Sequence, residues 1–214
     1  MKSFKVVCCI VFLFAFGFVV NAKTNCVNAA PGVQRCVSEV DFEKFSVSYS
    51  PQKMSQWCWA ACISMIFDYN GHPVSQEKIV LAQYGRLVNL PSGDGWTIAK
   101  QLNRRWIDDD ERKFSSILTA AFDPMANVYA MNNVWIVNLL HSEQPFILGT
   151  GGHAVVATRV DYMRDFNGNL QVNSIGVFDP WPGNGARTLG GIDLVPIGNG
   201  GKLQFAASAL ITSH

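Results

Sequence analysis

The sequence predicts an α+β fold in which a helical half, with a buried central helix, packs on an antiparallel β half. Three observations predict it. First, 49% of the 214 residues are hydrophobic and 15% are charged, a composition that can fill one sizeable core. Second, the helical patterns all come before residue 143, and most strand patterns come after it. Third, no internal repeat or linker divides the chain, so we expect one domain over residues 44–214.

The first 22 residues have the three-part layout of a secretory signal peptide. Lys2 and Lys5 precede an unbroken apolar run over 6–20, and a loose small-residue cleavage site ends at Ala22. The alternative, an uncleaved anchor, is disfavoured because fifteen helical residues span only about 22 Å, short of a ~30 Å hydrocarbon core. We therefore expect cleavage after Ala22, export to the periplasm or the exterior, and no membrane partner afterwards.

Residues 23–43 are polar and contain Gly and Pro, which indicates an N-terminal arm ahead of the domain. Nine residues separate Cys26 from Cys36 in this arm. In an exported segment of this kind, the two cysteines predict a local disulfide. Whether the arm is cut on activation stays open.

The segment over 57–69, WCWAACISMIFDY, is apolar on every face, which is typical of a buried central helix. Asn70-Gly71 provides its C-terminal stop. The charged run over 108–112 is interpreted as a solvated loop. The remaining predictions in this half are a strand over 44–50, helices over 75–84, 95–106 and 133–142, and core positions for Trp96, Trp106 and Trp135.

Strand-like runs rich in Val, Ile, Phe and Thr dominate the second half. The runs over 153–162 and 170–179 flank Asn167-Gly168, a strong hairpin signal. If they pair as a hairpin, the start of the first strand lies beside the end of the second. The other predicted elements are a strand over 145–149, a Gly-rich segment over 183–201 and a closing strand over 202–212.

The charge balance excludes some classes of partner. The net charge is +1, and removing residues 1–22 leaves 15 basic against 16 acidic residues. A near-neutral chain has no overall attraction for nucleic acid, so none is expected as a partner. Cys58 and Cys62 lie four apart, but no CxxC or HxxxH pattern adds ligands, so no metal is expected. No organic cofactor is implied either.

Cys58 is the candidate nucleophile because it opens the central helix, whose N-terminus stabilises a thiolate. Of the four histidines, His153 is the best-placed base: it opens a predicted strand after Gly149-Thr150-Gly151-Gly152, where the glycines leave room for a substrate. The predicted hairpin places His153 beside Asp179, which could hold the tautomer of the imidazole. Gln52, six residues before Cys58, could place an amide at an oxyanion.

Cys62 is a competing nucleophile, since Gln56 also lies six residues before it. However, Cys62 lies one turn inside the helix, where it loses most of the benefit of the helix dipole, and Ile63 follows it instead of Trp. A buried free cysteine is common as a small hydrophobic residue. Cys58 is therefore preferred.

The string Gln52-x5-Cys58-Trp59-Ala60, a later Gly152-His153-Ala154 and then Asp179-x-Trp181 resembles the papain-like cysteine peptidases. The short chain is similar to their compact bacterial branch, which includes staphopain-like, plant-pathogen effector and double-glycine leader peptidases. The resemblance spans residues 45–182. It implies a papain-like catalytic domain, a peptidase acting on a protein or peptide substrate through an acyl-enzyme, and a monomer. It also implies that Trp59, Gly152 and Trp181 line the site.

Two departures from papain stand out. Asp179 replaces an Asn, and Trp57 stands where papain has a small residue, so it could shape the substrate side. Because the same triad serves related reactions, another cysteine acyl-transfer enzyme (an amidase, deamidase or transglutaminase) stays open. A catalytically inactive papain-like binding module also stays open. The sequence does not reveal the natural substrate or its side-chain preference.

Overall fold

The structure, a computed structural model, describes residues 23–213; the predicted signal peptide over residues 1–22 lies outside them. None of the described helices is long and apolar enough to cross a membrane. The described helices are α1 Phe42–Ser48, α2 Cys58–Tyr69, α3 Gln76–Tyr84, α4 Gly95–Gln101 and α5 Asn133–His141. The described strands are β1 Lys23–Ala30, β2 Val33–Glu39, β3 Arg104–Ile107, β4 Lys113–Asp123, β5 Val128–Tyr129, β6 Phe146–Thr150, β7 His153–Asp165, β8 Leu170–Asp179, β9 Gly185–Gly190 and β10 Leu203–Ser213.

All ten strands belong to one antiparallel sheet, in the order β1-β2-β7-β6-β10-β4-β3. The long strand β7 organises it: residues 153–157 pair with β6, residues 159–165 pair with β2, and β8 forms a hairpin with β7. β9 extends the sheet beyond β8, and β5 pairs with β4. The predicted α+β class with an antiparallel β half is confirmed.

The buried central helix is also confirmed. Nine of the twelve residues of α2 are buried, and the helix packs on β7 and β6. It ends at Tyr69, with Asn70 as its C-cap, and Gly71 then takes a φ of +82°, a left-handed conformation that glycine adopts without strain. The position of the functional residues follows from this packing, since the N-terminus of α2 meets the start of β7.

The arm over 23–43 is more ordered than its composition indicates. Its first part forms the β1–β2 hairpin, and β2 joins the sheet beside β7. Cys26 and Cys36 are directly opposite each other and form a disulfide, with Cα atoms 4.1 Å apart. The predicted disulfide is therefore confirmed.

The strand predicted over 44–50 is wrong, because helix α1 occupies this segment. The side chain of Asp41 caps α1 by accepting a hydrogen bond from the N–H of Lys44 at 3.0 Å. Phe45 and Ser48, three residues apart, form its buried side. Over so short a segment, the apolar residues of KFSVSYS fit the period of a helix as well as that of a strand. The cap by Asp41 stabilises the helix.

The helix predicted over 95–106 is only partly right. α4 ends at Gln101, and residues 104–107 form the edge strand β3 on β4, a strand that was not predicted. The solvated loop predicted over 108–112 is wrong at Asp108, whose carboxylate is buried. Of the three tryptophans predicted in the core, Trp106 is buried, whereas Trp96 and Trp135 are exposed.

Candidate active site

The thiol of Cys58 lies at the N-terminus of α2, where the first backbone N–H groups have no acceptor within the helix. The preceding loop folds back just before it, as the N–H of Trp57 donates to the carbonyl of Met54 at 3.0 Å. Cys58 is partly exposed, and its sulfur hydrogen-bonds to the ring of His153 and to the backbone N–H groups of Ala154 and Trp59. Helix and strand thus meet at this atom.

His153 opens β7, and Asp179 closes β8, so the hairpin brings them together as the sequence predicts. Nε2 of His153 and Oδ1 of Asp179 are 2.6 Å apart. Because Nε2 faces the carboxylate, Nδ1 is the nitrogen left for the thiol of Cys58. The turn that closes this hairpin is held by Asp165, which accepts hydrogen bonds from the N–H groups of Asn167 and Asn169.

The Asp179 carboxylate is only 1% exposed, yet it has three hydrogen-bond donors and one ion-pair partner. Oδ1 accepts from His153 and from the N–H of Trp181 at 2.9 Å. Oδ2 accepts from the side-chain amide of Asn184 at 2.9 Å and forms an ion pair with Nε of Arg187 at 2.8 Å. Although burial raises the pKa of Asp179, the hydrogen bonds from His153, Trp181 and Asn184 lower it to about 2.

The imidazole and the thiol stabilise each other's charged forms. Burial opposes a charge on His153, but Asp179 and Cys58 together raise its pKa to about 9. Burial likewise raises the pKa of Cys58, but hydrogen bonds from His153 and from the N–H of Ala154 bring it below its ordinary value. This arrangement favours a thiolate–imidazolium pair, the reactive form of a nucleophilic cysteine.

Gln52 is buried beside the site, and its backbone N–H donates to the carbonyl of Pro180 at 2.7 Å. Its side-chain nitrogen donates to the carbonyls of Met54 and Ser55 at 3.0 and 2.9 Å. The side-chain oxygen is buried without a hydrogen-bond partner among the described residues. Donation to an oxyanion would therefore require one of the two loop carbonyls to release the amide.

The two tryptophans that flank Cys58 and were predicted to line the site are buried. The indole N–H of Trp57 donates to the carbonyl of Val88 at 2.8 Å, and that of Trp59 to the carbonyl of Leu90 at 3.3 Å. Both side chains thus fasten the segment after α3 against the start of α2.

Trp181 and Gly152 lie on the exposed side of His153. Trp181 is 48% exposed, and its ring stands edge-on to the imidazole with centroids 6.4 Å apart. Gly152 has a φ of +78°, and its N–H donates to the side chain of Gln204 at 2.7 Å. A left-handed glycine leaves this approach to His153 uncovered.

Cys62 is fully buried, and burial together with the charges of Cys58 and Asp179 raises the pKa of its thiol well above the ordinary value.

Sequence reasoning missed Asn184 and Arg187, which lie in the Gly-rich segment. The signal available was indirect, since a buried carboxylate needs several donors and the turn after Asp179 brings the chain back past it. Among residues 23–213, no three His, Cys, Asp or Glu side chains are grouped to hold a metal ion.

Comparison with known proteins gives one family. The family described as papain-like cysteine protease AvrRpt2 matches residues 41–191, which are 151 of the 214 residues. The match includes Gln52, Cys58, His153 and Asp179. No curated protein matches the chain.

Proposed function

The chain belongs to the papain-like cysteine protease family described as AvrRpt2 and is a cysteine-type peptidase, and we propose that it works through a triad of Cys58, His153 and Asp179. Cys58 is the nucleophile, His153 the general base and acid, and Asp179 holds the imidazole. The 2.6 Å contact between His153 and Asp179, on the ring that also meets the Cys58 thiol, supports this most directly. The substrate is a protein or peptide, and the chain acts as a monomer.

The reaction follows from the charges on the pair. The thiolate of Cys58 adds to the carbonyl carbon of the substrate peptide, and the carbonyl oxygen becomes negatively charged. The C–N bond then breaks, and the imidazolium of His153 gives its proton to the leaving amine. Water attacks the acyl-enzyme as His153 takes a proton from it, and the C–S bond breaks to release the acid and the thiolate.

The oxyanion needs donors at the N-terminus of α2. The backbone N–H of Cys58 is one, because the first N–H groups of a helix have no acceptor inside it. The side-chain amide of Gln52 is the second, released from one loop carbonyl when substrate binds. Among the described residues, the side-chain oxygen of Gln52 has no hydrogen-bond partner, so the loop satisfies only the nitrogen of this amide.

The test compares the exported protein with its Cys58→Ala variant on a denatured protein, with Cys62→Ala as the matched cysteine control. We expect peptides from the wild type and from Cys62→Ala, and none from Cys58→Ala. Peptides produced equally by Cys58→Ala would overturn the triad. Release of ammonia or of muropeptides without peptides would favour the deamidase or amidase alternative. No turnover of any of these substrates would favour the binding module.

We also propose that the chain is exported through residues 1–22. The charged start and the apolar run over 6–20 support it. The disulfide between Cys26 and Cys36 also supports it, because such bonds persist in oxidising compartments. Mass spectrometry of protein from the periplasm or the medium should give an N-terminus at Lys23. Retention of an uncut chain in the cytoplasm would contradict the proposal.

A further inference from the structure

The two oxygens of the Asp179 carboxylate have different partners. Oδ1 accepts hydrogen bonds from His153 and from the N–H of Trp181, while Oδ2 accepts one from Asn184 and forms an ion pair with Arg187, which belong to the turn and strand that follow. Oδ1 of Asp179 therefore faces the imidazole, and Oδ2 faces β9. A carboxylate held on both sides cannot rotate away from the imidazole without breaking the hydrogen bond from Asn184 or the ion pair with Arg187.

Arg187 reaches this buried oxygen from the surface. It lies on β9 opposite Val177, two positions along β8 from Asp179, and its side chain is 40% exposed. Nε approaches Oδ2 at 2.8 Å, so the cation lies on the side of Asp179 away from His153. This geometry makes the guanidinium part of the electrostatic environment of the imidazole without contact with the reacting atoms.

We propose that Arg187 is a positioning residue of the active site: it fixes Asp179 against His153, and its positive charge limits how strongly the carboxylate stabilises the imidazolium. The inference rests on the proposed function, because it requires His153 and Asp179 to act together. Removing the cation leaves the charge of Asp179 less compensated, so the imidazolium becomes more stable and gives up its proton at higher pH.

The other titratable groups around the pair are few among the described residues. The thiol of Cys58 faces the ring from α2, and the thiol of Cys62 lies one turn deeper. Tyr49 donates its hydroxyl to the backbone carbonyl of Asp179 at 3.2 Å. Arg187 shares a surface pocket with Glu39 and Arg159, which pair with each other at 2.8 Å, whereas Arg187 pairs with the carboxylate of Asp179.

The experiment is an NMR titration of the His153 ring in wild type, Arg187→Gln, Arg187→Lys and Arg159→Gln. Arg159 is the matched control, since it is a half-exposed arginine of the same sheet that pairs with Glu39 at 2.8 Å. We expect the midpoint of His153 to rise by on the order of 0.5–1 pH unit in Arg187→Gln, from the Coulomb interaction at this separation. Arg187→Lys keeps the charge and should leave the midpoint near that of the wild type, as should Arg159→Gln.

Turnover supplies the second readout, with kcat falling several-fold in Arg187→Gln while KM changes little. The titration needs no substrate, so it stays informative even if peptidase activity is absent, and the two proposals can fail separately. A second neutral variant, Arg187→Met, serves if Arg187→Gln does not fold. An unchanged midpoint in the neutral variants, or an equal rise in Arg187→Lys and Arg187→Gln, would overturn the proposal.

Discussion

Cys58 and Cys62 are one helical turn apart, yet their surroundings give the two thiols opposite properties. Cys58 has the start of α2 and the ring of His153, whereas Cys62 is enclosed by apolar neighbours. The thiolate is the form that reacts with alkylating agents, so accessibility and pKa act in the same direction here. Only one of the two cysteines is therefore suited to nucleophilic chemistry.

We predict that iodoacetamide at pH 6 labels Cys58 much faster than Cys62 and abolishes activity. His153→Ala should slow the labelling, because the imidazolium that stabilises the thiolate is lost. Cys62→Ala should keep most activity and lose only stability, as a small core truncation does. Peptide mapping by mass spectrometry measures the labelling. An inactive but folded Cys62→Ala alongside an active Cys58→Ala would reverse the assignment.

The charged pair of Cys58 and His153 also predicts how activity and stability depend on pH. The pKa of His153 is raised from its ordinary value of 6.5 to about 9, so the imidazolium persists to mildly alkaline pH. We expect kcat/KM to fall as pH rises through about 9. The stability that this pair adds should be full below pH 6.5 and lost as pH rises through about 9. A pH–rate profile with its alkaline limb near 6.5 would contradict the pairing.

Gln52→Ala should lower kcat on the order of a hundredfold, since one oxyanion donor is typically worth about 2.7–4 kcal/mol. Because Gln52 also holds the loop carbonyls of Met54 and Ser55, the melting temperature must be measured alongside. Gln56→Ala is the matched control, an exposed glutamine of the same loop. A loss in Gln52→Ala confined to melting temperature, with kcat within a few-fold of wild type, would assign it to loop structure alone.

Individual residues were predictable from sequence where local geometry determined their neighbours. The Asn-Gly turn implies the β7–β8 hairpin, and the hairpin alone brings His153 beside Asp179. The partners of Oδ2 were not predictable, because Arg187 depends on the register of β9 against β8 and on the path of the turn at Asn184. Composition indicates only that the segment is rich in glycine.

At the scale of single elements, α2 was predictable from the sequence and α1 was not. The apolar surface of α2 on every face leaves no other interpretation than a buried helix. A seven-residue helix such as α1 carries too few turns for its period to be distinguished from that of a strand. β3 was missed because its partner β4 lies beyond a loop, and the helical pattern continues past the point where α4 ends.

The β1–β2 hairpin provides the element-scale prediction. Its disulfide closes a loop of about ten residues, worth roughly 2–3 kcal/mol in the chain-entropy model. The double variant Cys26→Ser/Cys36→Ser should lose about that much free energy of unfolding in urea. Activity at low denaturant should remain, because β2 pairs with residues 159–165 of β7, away from His153. Loss of activity in a variant that stays folded would show that the hairpin acts on the site.

Across the whole molecule, the helical half is joined to the sheet at more than one place. α2 covers β7 and β6, while β10 pairs with both β6 and β4. The prediction of two packed halves described the layers correctly but not the strands β3 and β4, which follow the helices α3 and α4 in the chain. The pairing of β4 with β10 joins segments far apart in the chain, so no local sequence pattern predicts it.

A buried network at Asp108 ties these parts together. Its carboxylate accepts hydrogen bonds from Nδ1 of His72 and Nε of Arg112, both at 2.9 Å. Nε2 of His72 is in turn 2.9 Å from the hydroxyl of Ser213 at the end of β10. The carboxylate of Asp108 and the ring of His72 therefore connect the turn after α2, the loop over 108–112 and the last strand.

The last prediction concerns this carboxylate. Asp108→Asn should lower the melting temperature, because it replaces a buried, fully hydrogen-bonded charge with a group whose donors face other donors. Burial raises the pKa of Asp108, but His72 and Arg112 hold it below its ordinary value of 3.8. The ionised carboxylate of Asp108 therefore contributes stability above pH 3.8, and this contribution is lost as the pH falls through its lowered pKa. The difference in melting temperature between Asp108→Asn and the wild type should become smaller in acid. Asp110→Asn removes a 63% exposed partner of the same Arg112 and should cost little, and alkylation of Cys58 should be unchanged in both variants. Equal destabilisation by the two substitutions would mean that the loop is merely a solvated charge cluster.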